Sequence, residues 1–456
     1  MGKPNIVLIL ADDMGFGDLD AHLATGPLMP VLGALRHEGV CLTQHYSGAP
    51  VCAPARAALL TGRYPHRTGA VDTLETLGLD RLHPDESTLA DHLAAAGYRC
   101  GLVGKWHLGA FDRRYHPLER GFHEFVGFRG GWSDYYDWHL EAGGSRRDGD
   151  GRYLTDVFTA AAVDFVRRHR QEPFFLHLAY NAPHFPLQAP ERDVAPFRIP
   201  ERTPALATLY GMLSAMDRGI GEVLEELDRC GLARDTLVVF ASDNGPDFGG
   251  AGERSTRRAN GGLRGHKGLT FEGGIRVPAV LRWPAGLPAR ETRTGLVHFC
   301  DWVPTLLEAA GASPVPGPPL DGETRLGLLR GEPAGDPGPR FWQWNRYRPV
   351  GTSNAAMRSG DWKLVRPAIA AAMGLLPEHA QGDRRAKAEP AWVPEMPDAL
   401  PVVELPSPEP PLLFDLASDP LETRDLAGVQ PERAAAMLAT LEGWFADVAA
   451  GPWPRR

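Results

Sequence analysis

Five compact apolar runs constrain this chain most: residues 5–10 (NIVLIL), 98–103 (YRCGLV), 174–179 (FFLHLA), 236–241 (TLVVFA) and 277–283 (VPAVLRW). Each is rich in β-branched or aromatic side chains, which is how parallel strands covered on both faces read. Helical patterns lie between them, at 87–96 with Ser87 as cap and Gly97 as stop, at 154–169 and at 206–230. Strands alternating with helices predict an α/β protein, a large mainly parallel sheet flanked by helices on both faces.

Beyond residue 330 or so the texture changes. "AAMRSGDWKLVRP" and "PPLLFDLASDP" read as two strands of a smaller antiparallel unit, and residues 367–411 between them hold ten prolines. That density predicts a long irregular excursion. The expected organisation is an α/β domain over 1–335 and a smaller α+β subdomain over 336–456.

In an open α/β sheet, ligands bind beyond the carboxyl ends of the strands. The first run leads into Asp12-Asp13, the second into "GKWHLG" with Lys105 and His107, the third into "YNAPHFP" with His184, and the fourth into "SDNG" with Asp243-Asn244. Taken singly, an aspartate pair is most often a helix cap, a lone histidine a satisfied core group and "DNG" a turn. Four strands delivering such cargo to one edge point instead to a site.

Asp12, Asp13, Asp243 and Asn244 offer only oxygen ligands, which suit a hard cation, calcium before magnesium. The basic groups Arg56, Lys105, His107, His184 and Lys267 are then available to surround a tetrahedral oxyanion. Lys267 lies among Gly265, Gly268 and Gly273-Gly274, a setting that points to backbone brought close to a ligand. "CAPAR" places Cys52 at the start of a helix, with Pro54 in its first turn and Gly62 as its stop. Arg56, four residues on, shares the helix face of Cys52 at the end that attracts anions.

The formal charge of −9 argues against a nucleic-acid or anionic-membrane partner. No apolar run is long enough to span a bilayer and no signal peptide is visible, so a cytoplasmic location is expected. Five widely spaced cysteines without a CxxC pair indicate neither a disulfide framework nor a zinc site.

"NIVLILADDMGFGDLD", "CAPAR" with "LLTGRYPHRTG", "GKWHLG", the PHFP segment, "SDNG" and "GHKGLTFEGGIRVPAVLRWP" together resemble the type I sulfatases of the alkaline phosphatase superfamily. The resemblance runs through to "LFDLASDPLETRDLA" near the C-terminus. It implies an alkaline phosphatase-like fold and hydrolysis of aryl or carbohydrate sulfate esters. It implies that a maturation enzyme reading C-x-P-x-R oxidises Cys52 to Cα-formylglycine, and that residue 52 joins Asp12, Asp13, Asp243 and Asn244 around calcium. One hydroxyl of the hydrated aldehyde, stabilised by Arg56, would attack sulfur. Lys105 would bridge sulfate and nucleophile, His184 and Lys267 would serve the leaving group, and His107 would take the proton of the second hydroxyl. Ser133 falls where some members carry a sulfate-contacting serine, and Trp132, Tyr135, Tyr136 and Trp138 are candidates for stacking on a sugar or aryl group, or for packing.

Two other readings compete. A phosphonate monoester hydrolase or phosphodiesterase shares the formylglycine chemistry, but its metal pairs typically read Asp-Gln and Asp-His. A non-catalytic protein that binds a sulfated glycan on the same scaffold would be expected to lack basic or metal residues, and none is missing here.

Overall fold

The computed structural model describes residues 2–23, 26–333, 335–389, 392–396 and 399–450. Its main sheet contains β1 (Asn5–Ala11), β2 (Val40–Leu42), β3 (Arg99–Lys105), β4 (Glu124–Phe128), β5 (His139–Ala142), β6 (Ser145–Asp148), β7 (Phe174–Ala179), β8 (Thr236–Ser242), β9 (Ala279–Arg282) and β10 (Glu291–Arg293). The spatial order is β10-β2-β9-β8-β1-β7-β3-β4-β5-β6. The central strands β8, β1, β7, β3 and β4 are mutually parallel.

Alternation along β1 shows why both faces are covered. Ile6, Leu8 and Leu10 enter one apolar core, shared with the helix α1 (Cys52–Thr61), while Val7, Ile9 and Ala11 enter the other, with α2 (Leu154–Arg168) and α3 (Pro204–Arg229). Among the described residues no helix is long and apolar enough to cross a membrane.

The run at 277–283 is not parallel. Its strand is the shorter β9, antiparallel to both β8 and β2. Pro278, which has no N–H to donate, precedes its first residue. An antiparallel partner needs no crossover helix, and the segment between β8 and β9 contains only helices of three or four residues. The helix predicted at 87–96 runs Leu89–Ala95, with Thr88 rather than Ser87 as its cap. The Thr88 hydroxyl accepts from the Asp91 N–H and the Asp91 carboxylate accepts from the Thr88 N–H.

The antiparallel C-terminal sheet has four strands, not two: β11 (Arg340–Gln343), β12 (Ala355–Ser359), β13 (Trp362–Arg366) and β14 (Leu412–Asp415). "AAMRSGDWKLVRP" is itself a hairpin, turning at Gly360-Asp361. The proline-rich excursion also differs from expectation, since it holds two helices, Ala370–Met373 and α4 (Pro377–Ala388). Pro377 occupies the first turn of α4, where a missing N–H costs nothing. Pro390 and Pro397 lie outside the described residues. A last helix, α5 (Pro431–Ala449), covers the second sheet.

Candidate active site

The central strands end in register: Leu10 lies opposite both Ala179 and Ala241, and Ala179 opposite Gly104. Asp12-Asp13, Lys105, the turn carrying His184, and Asp243-Asn244 therefore leave the sheet at one edge. Backbone bonds fix them there. The Asp12 N–H donates to the Ala182 carbonyl at 3.0 Å and the Asp243 N–H to the Ala11 carbonyl at 3.0 Å. Asp13 and His107 both sit in the left-handed region, with φ of 69° and 54°. Strain of this kind is retained where surrounding structure imposes it, and it clusters at functional sites.

All ten residues of α1 are buried, so Arg56 is drawn inside with Cys52. Its Nε and Nη2 donate to Asp243 Oδ2 at 3.1 and 2.8 Å, and Nη1 donates to the Lys105 carbonyl at 3.2 Å. Lys105 Nζ donates to Asp12 Oδ2 at 2.6 Å, and Lys267 Nζ to Asp13 Oδ2 at 2.7 Å. His184 Nε2 stands 3.7 Å from the same Asp13 oxygen, and Nδ1 lies 2.7 Å from the Phe185 carbonyl oxygen. That carbonyl can only accept, so Nδ1 carries the proton and Nε2 is the free nitrogen.

Of the glycines around Lys267, Gly268 lines the cleft, while Gly273 and Gly274 allow close backbone contact. A Cβ on Gly273 would lie 2.4 Å from the Gly265 carbonyl oxygen, and one on Gly274 would lie 1.9 Å from that of Leu269. This tight fold presses the loop onto the mouth of α1, where the Gly268 N–H donates to the Pro50 carbonyl at 2.8 Å.

Charge in the cluster is closely balanced and strongly perturbed. Despite burial, Lys267 and His184 hold the Asp13 carboxyl well below the usual range. Burial and the neighbouring Asp12 push Asp243 up to about 6 against the pull of Arg56. Burial and the charge of Lys267 bring His184 down to about 3. Burial raises the Cys52 thiol, although Lys105 and Lys267 oppose it.

The residues fit a hard cation. One ligand atom from each of Asp12, Cys52 and Asp243 lie within 4.8 Å of one another. Asp12 Oδ1 and Asn244 Oδ1 are buried without a hydrogen-bond partner. Such oxygens are costly to leave bare, and an oxygen-seeking dication satisfies both.

Cys52, His107, His184 and Lys267 line a cleft of about 380 Å³, together with Trp132. Ser133 is not brought to it. Its Oγ donates to the Asp134 carbonyl at 3.2 Å, and it faces an adjoining cavity of about 490 Å³ that Trp132 also borders. Tyr135 and Trp138 are fully buried, and the Tyr135 hydroxyl lies 2.7 and 2.9 Å from the carbonyl oxygens of Asn181 and His184, steadying the His184 turn. Tyr136 is partly exposed and packs on Tyr153. Sequence reasoning missed Glu75, Asp247, Trp344, Arg346 and Asp383, which also line the cleft. Glu75 and Asp247 lie outside the strands, Trp344 and Arg346 follow β11, a strand with no apolar run legible in the sequence, and Asp383 lies on α4.

A mainly parallel sheet gathers oxygen ligands and buried cations at its strand ends, around a residue at a helix N-terminus. The sulfatase family profile matches residues 4–312, and the chain belongs to the sulfatase family. It is 34% identical to mouse (Mus musculus) steryl-sulfatase over 72% of this chain and 65% of that protein. It is likewise 34% identical to human (Homo sapiens) N-acetylgalactosamine-6-sulfatase over 72% of this chain and 66% of that one. The matched part thus spans about two thirds of the length of these relatives. Among solved structures, Ps i-CgsB in complex with k-i-k-neocarrahexaose superposes with a TM-score of 0.80 at 30% identity, covering 99% of this chain and 94% of that one.

Proposed function

We propose that this protein hydrolyses sulfate monoesters of carbohydrates or aryl alcohols, using residue 52 after its oxidation to formylglycine. The observation that carries the reading is the seating of Cys52 at the head of α1, facing the cleft, within ligand distance of Asp12 and Asp243 and encircled by Arg56, Lys105, His107, His184 and Lys267. As a hydrated aldehyde, residue 52 would supply one hydroxyl to attack sulfur, breaking the ester S–O bond and releasing the alcohol, and a second whose deprotonation re-forms the aldehyde as sulfate departs. Asp12, Asp13, Asp243, Asn244 and residue 52 would hold a calcium ion, which would supply Lewis acidity to the site.

The chain's own groups divide the remaining work. Arg56, clamped to Asp243, holds positive charge beneath residue 52. The ammonium groups of Lys105 and Lys267 offer further donors to the sulfate oxygens. The Nε2 atom of His107 lies 3.3 Å from the Thr73 carbonyl oxygen, which assigns the proton to Nε2, and the buried Nδ1 has no partner. Its lack of a partner supports a role as the base for the second hydroxyl, although burial and the charge of Lys105 hold the basicity of His107 well below the usual range. We assign His184 to the leaving-group side, a role that needs Nε2 protonated: burial and Lys267 oppose that protonation, and an incoming anion favours it. The maturation enzyme is expected to read Cys52, Pro54 and Arg56 in the unfolded chain, since all three are buried in the fold.

A sulfate monoester carries one negative charge and a phosphate monoester nearly two at neutral pH. Three carboxylates already balance Arg56, Lys105 and Lys267, so a single bound dication would leave the site less positive than a two-metal site, which favours the monoanion. A screen of aryl sulfates, sulfated sugars, phosphodiesters and phosphate monoesters tests this. Sulfates are expected to be turned over fastest, phosphodiesters second and phosphate monoesters least. A phosphodiester kcat/KM above that of every sulfate would instead assign the protein to the phosphodiesterase branch.

A further inference from the structure

The wall of the cleft opposite Cys52 comes from the C-terminal part of the chain, through Trp344 and Arg346, which follow β11, and Asp383 on α4. Arg346 is held firmly: Nη1 donates to Asp72 Oδ1 at 2.9 Å and to Thr73 Oγ1 at 2.8 Å, and its guanidinium carbon lies 5.1 Å from the centre of the Trp344 ring. Among the described residues, the hydrogen bonds of its guanidinium all run through Nη1, and the side chain lines the cleft. Across from it, Lys387 Nζ pairs with Glu75 Oε1 at 2.5 Å and lies 5.9 Å from the centre of the Trp132 ring. Asp383, one turn before Lys387 on α4, faces the same space beside Trp132.

Both cations of this wall are already paired, and the Asp383 carboxylate leaves it with excess negative charge. Arg346 is paired with Asp72, and Lys387 with Glu75. The wall therefore lacks the excess positive charge that a second anionic group would require. What it offers is a carboxylate that accepts, a fixed guanidinium edge that donates, and an indole on either side. That combination suits the hydroxyls and the flat apolar face of a neutral sugar ring.

We infer that Trp132, Trp344, Arg346 and Asp383 form a subsite for the pyranose ring that bears the sulfate, with Asp383 and Arg346 gripping its hydroxyls. The inference rests on the proposed sulfatase function for its kinetic test, but the subsite also has a binding test that does not. In the kinetic arm, kcat/KM is measured for galactose 4-sulfate, galactose 6-sulfate and N-acetylgalactosamine 6-sulfate, with 4-nitrophenyl sulfate as a ligand that has no ring hydroxyls. For the best of the three sugars, Asp383→Ala and Arg346→Met are each expected to lower kcat/KM roughly tenfold or more beyond any loss on 4-nitrophenyl sulfate, mostly through KM, as loss of a charge-assisted hydrogen bond implies. In the binding arm, calorimetric titration of the same sugars into Cys52→Ala protein, with and without Asp383→Ala, is expected to show roughly tenfold weaker binding in the double variant. Arg346→Lys, which keeps the charge but not the fork, is expected to recover only part of the loss.

Equal losses on sugar and aryl sulfates, or no weakening of sugar binding by Asp383→Ala, would overturn the subsite. So would failure of all three sugars to bind the Cys52→Ala protein. A wild-type enzyme that binds the sugars in the Asp383-dependent way yet hydrolyses no sulfate ester would leave the subsite standing and remove the sulfatase reading.

Discussion

At the scale of single residues, the site is a set of buried charges that depend on one another. Arg56 is 1% exposed and its charge is met by Asp243 at 2.8 Å. Asp243→Ala strips that partner away while leaving the guanidinium in place, which costs about 3–5 kcal/mol for a buried pair. A drop in the denaturant midpoint, together with loss of calcium uptake by calorimetry, is expected. Retention of full stability would mean that another group carries the Arg56 charge. His184→Ala should discriminate between leaving groups. A sugar alkoxide needs a proton far more than nitrophenoxide does, so about 10²-fold or more is expected to be lost on a sugar sulfate and much less on 4-nitrophenyl sulfate. Equal losses would make His184 a sulfate-binding group. The strand-end residues were legible before the fold was known because a parallel sheet delivers them to one edge. Ser133 was not. It sits in a loop whose local bond to the Asp134 carbonyl turns it toward the neighbouring cavity, and nothing in "GGWSDYYDW" reports that turn.

Among the elements, close strand approach imposes its own demands. Gly104 in β3 has φ of +114°, and a Cβ there would lie 1.9 Å from the Ala179 carbonyl oxygen of β7. Gly104→Ala must part the two strands that carry Lys105 and the His184 turn. A loss of about 3 kcal/mol or more is expected, read as a lowered thermal midpoint with weakened activity. An unchanged midpoint would contradict the packing described. Apolar composition revealed four of the five strands and their direction. It could not reveal that β9 runs the other way, because a buried strand reads alike in both directions. Strand β2 (Val40–Leu42) is apolar and buried but only three residues long, and β6 (Ser145–Asp148) is wholly exposed with no apolar run. Helix α4 was hidden by the prolines around it, although Pro377 occupies a position that favours helix initiation.

Over the whole molecule, we propose that the segments 1–335 and 336–456 fold as one unit rather than as separable domains. Ala355, Met357, Leu364, Leu413 and Leu441 belong to the same apolar core as Ile6, Leu8 and Leu10. Lys363, fully buried, bridges Glu272 and Glu422 at 2.9 Å each, and the Trp342 indole donates to the Ser47 carbonyl at 2.7 Å. A chain ending at residue 335 is expected to lack a cooperative unfolding transition, whereas one matching the full chain would show that the first segment stands alone. Calcium should bind only the folded form, so chelation is expected to lower the thermal midpoint, and excess calcium, but not zinc, to restore it. Peptide mass spectrometry of preparations differing in maturation tests the role of residue 52. Aryl sulfate turnover is expected to rise in proportion to the fraction of the Cys52 peptide carrying the aldehyde or its hydrate and to vanish at zero fraction. Full turnover from a preparation whose residue 52 is entirely unmodified thiol would contradict it.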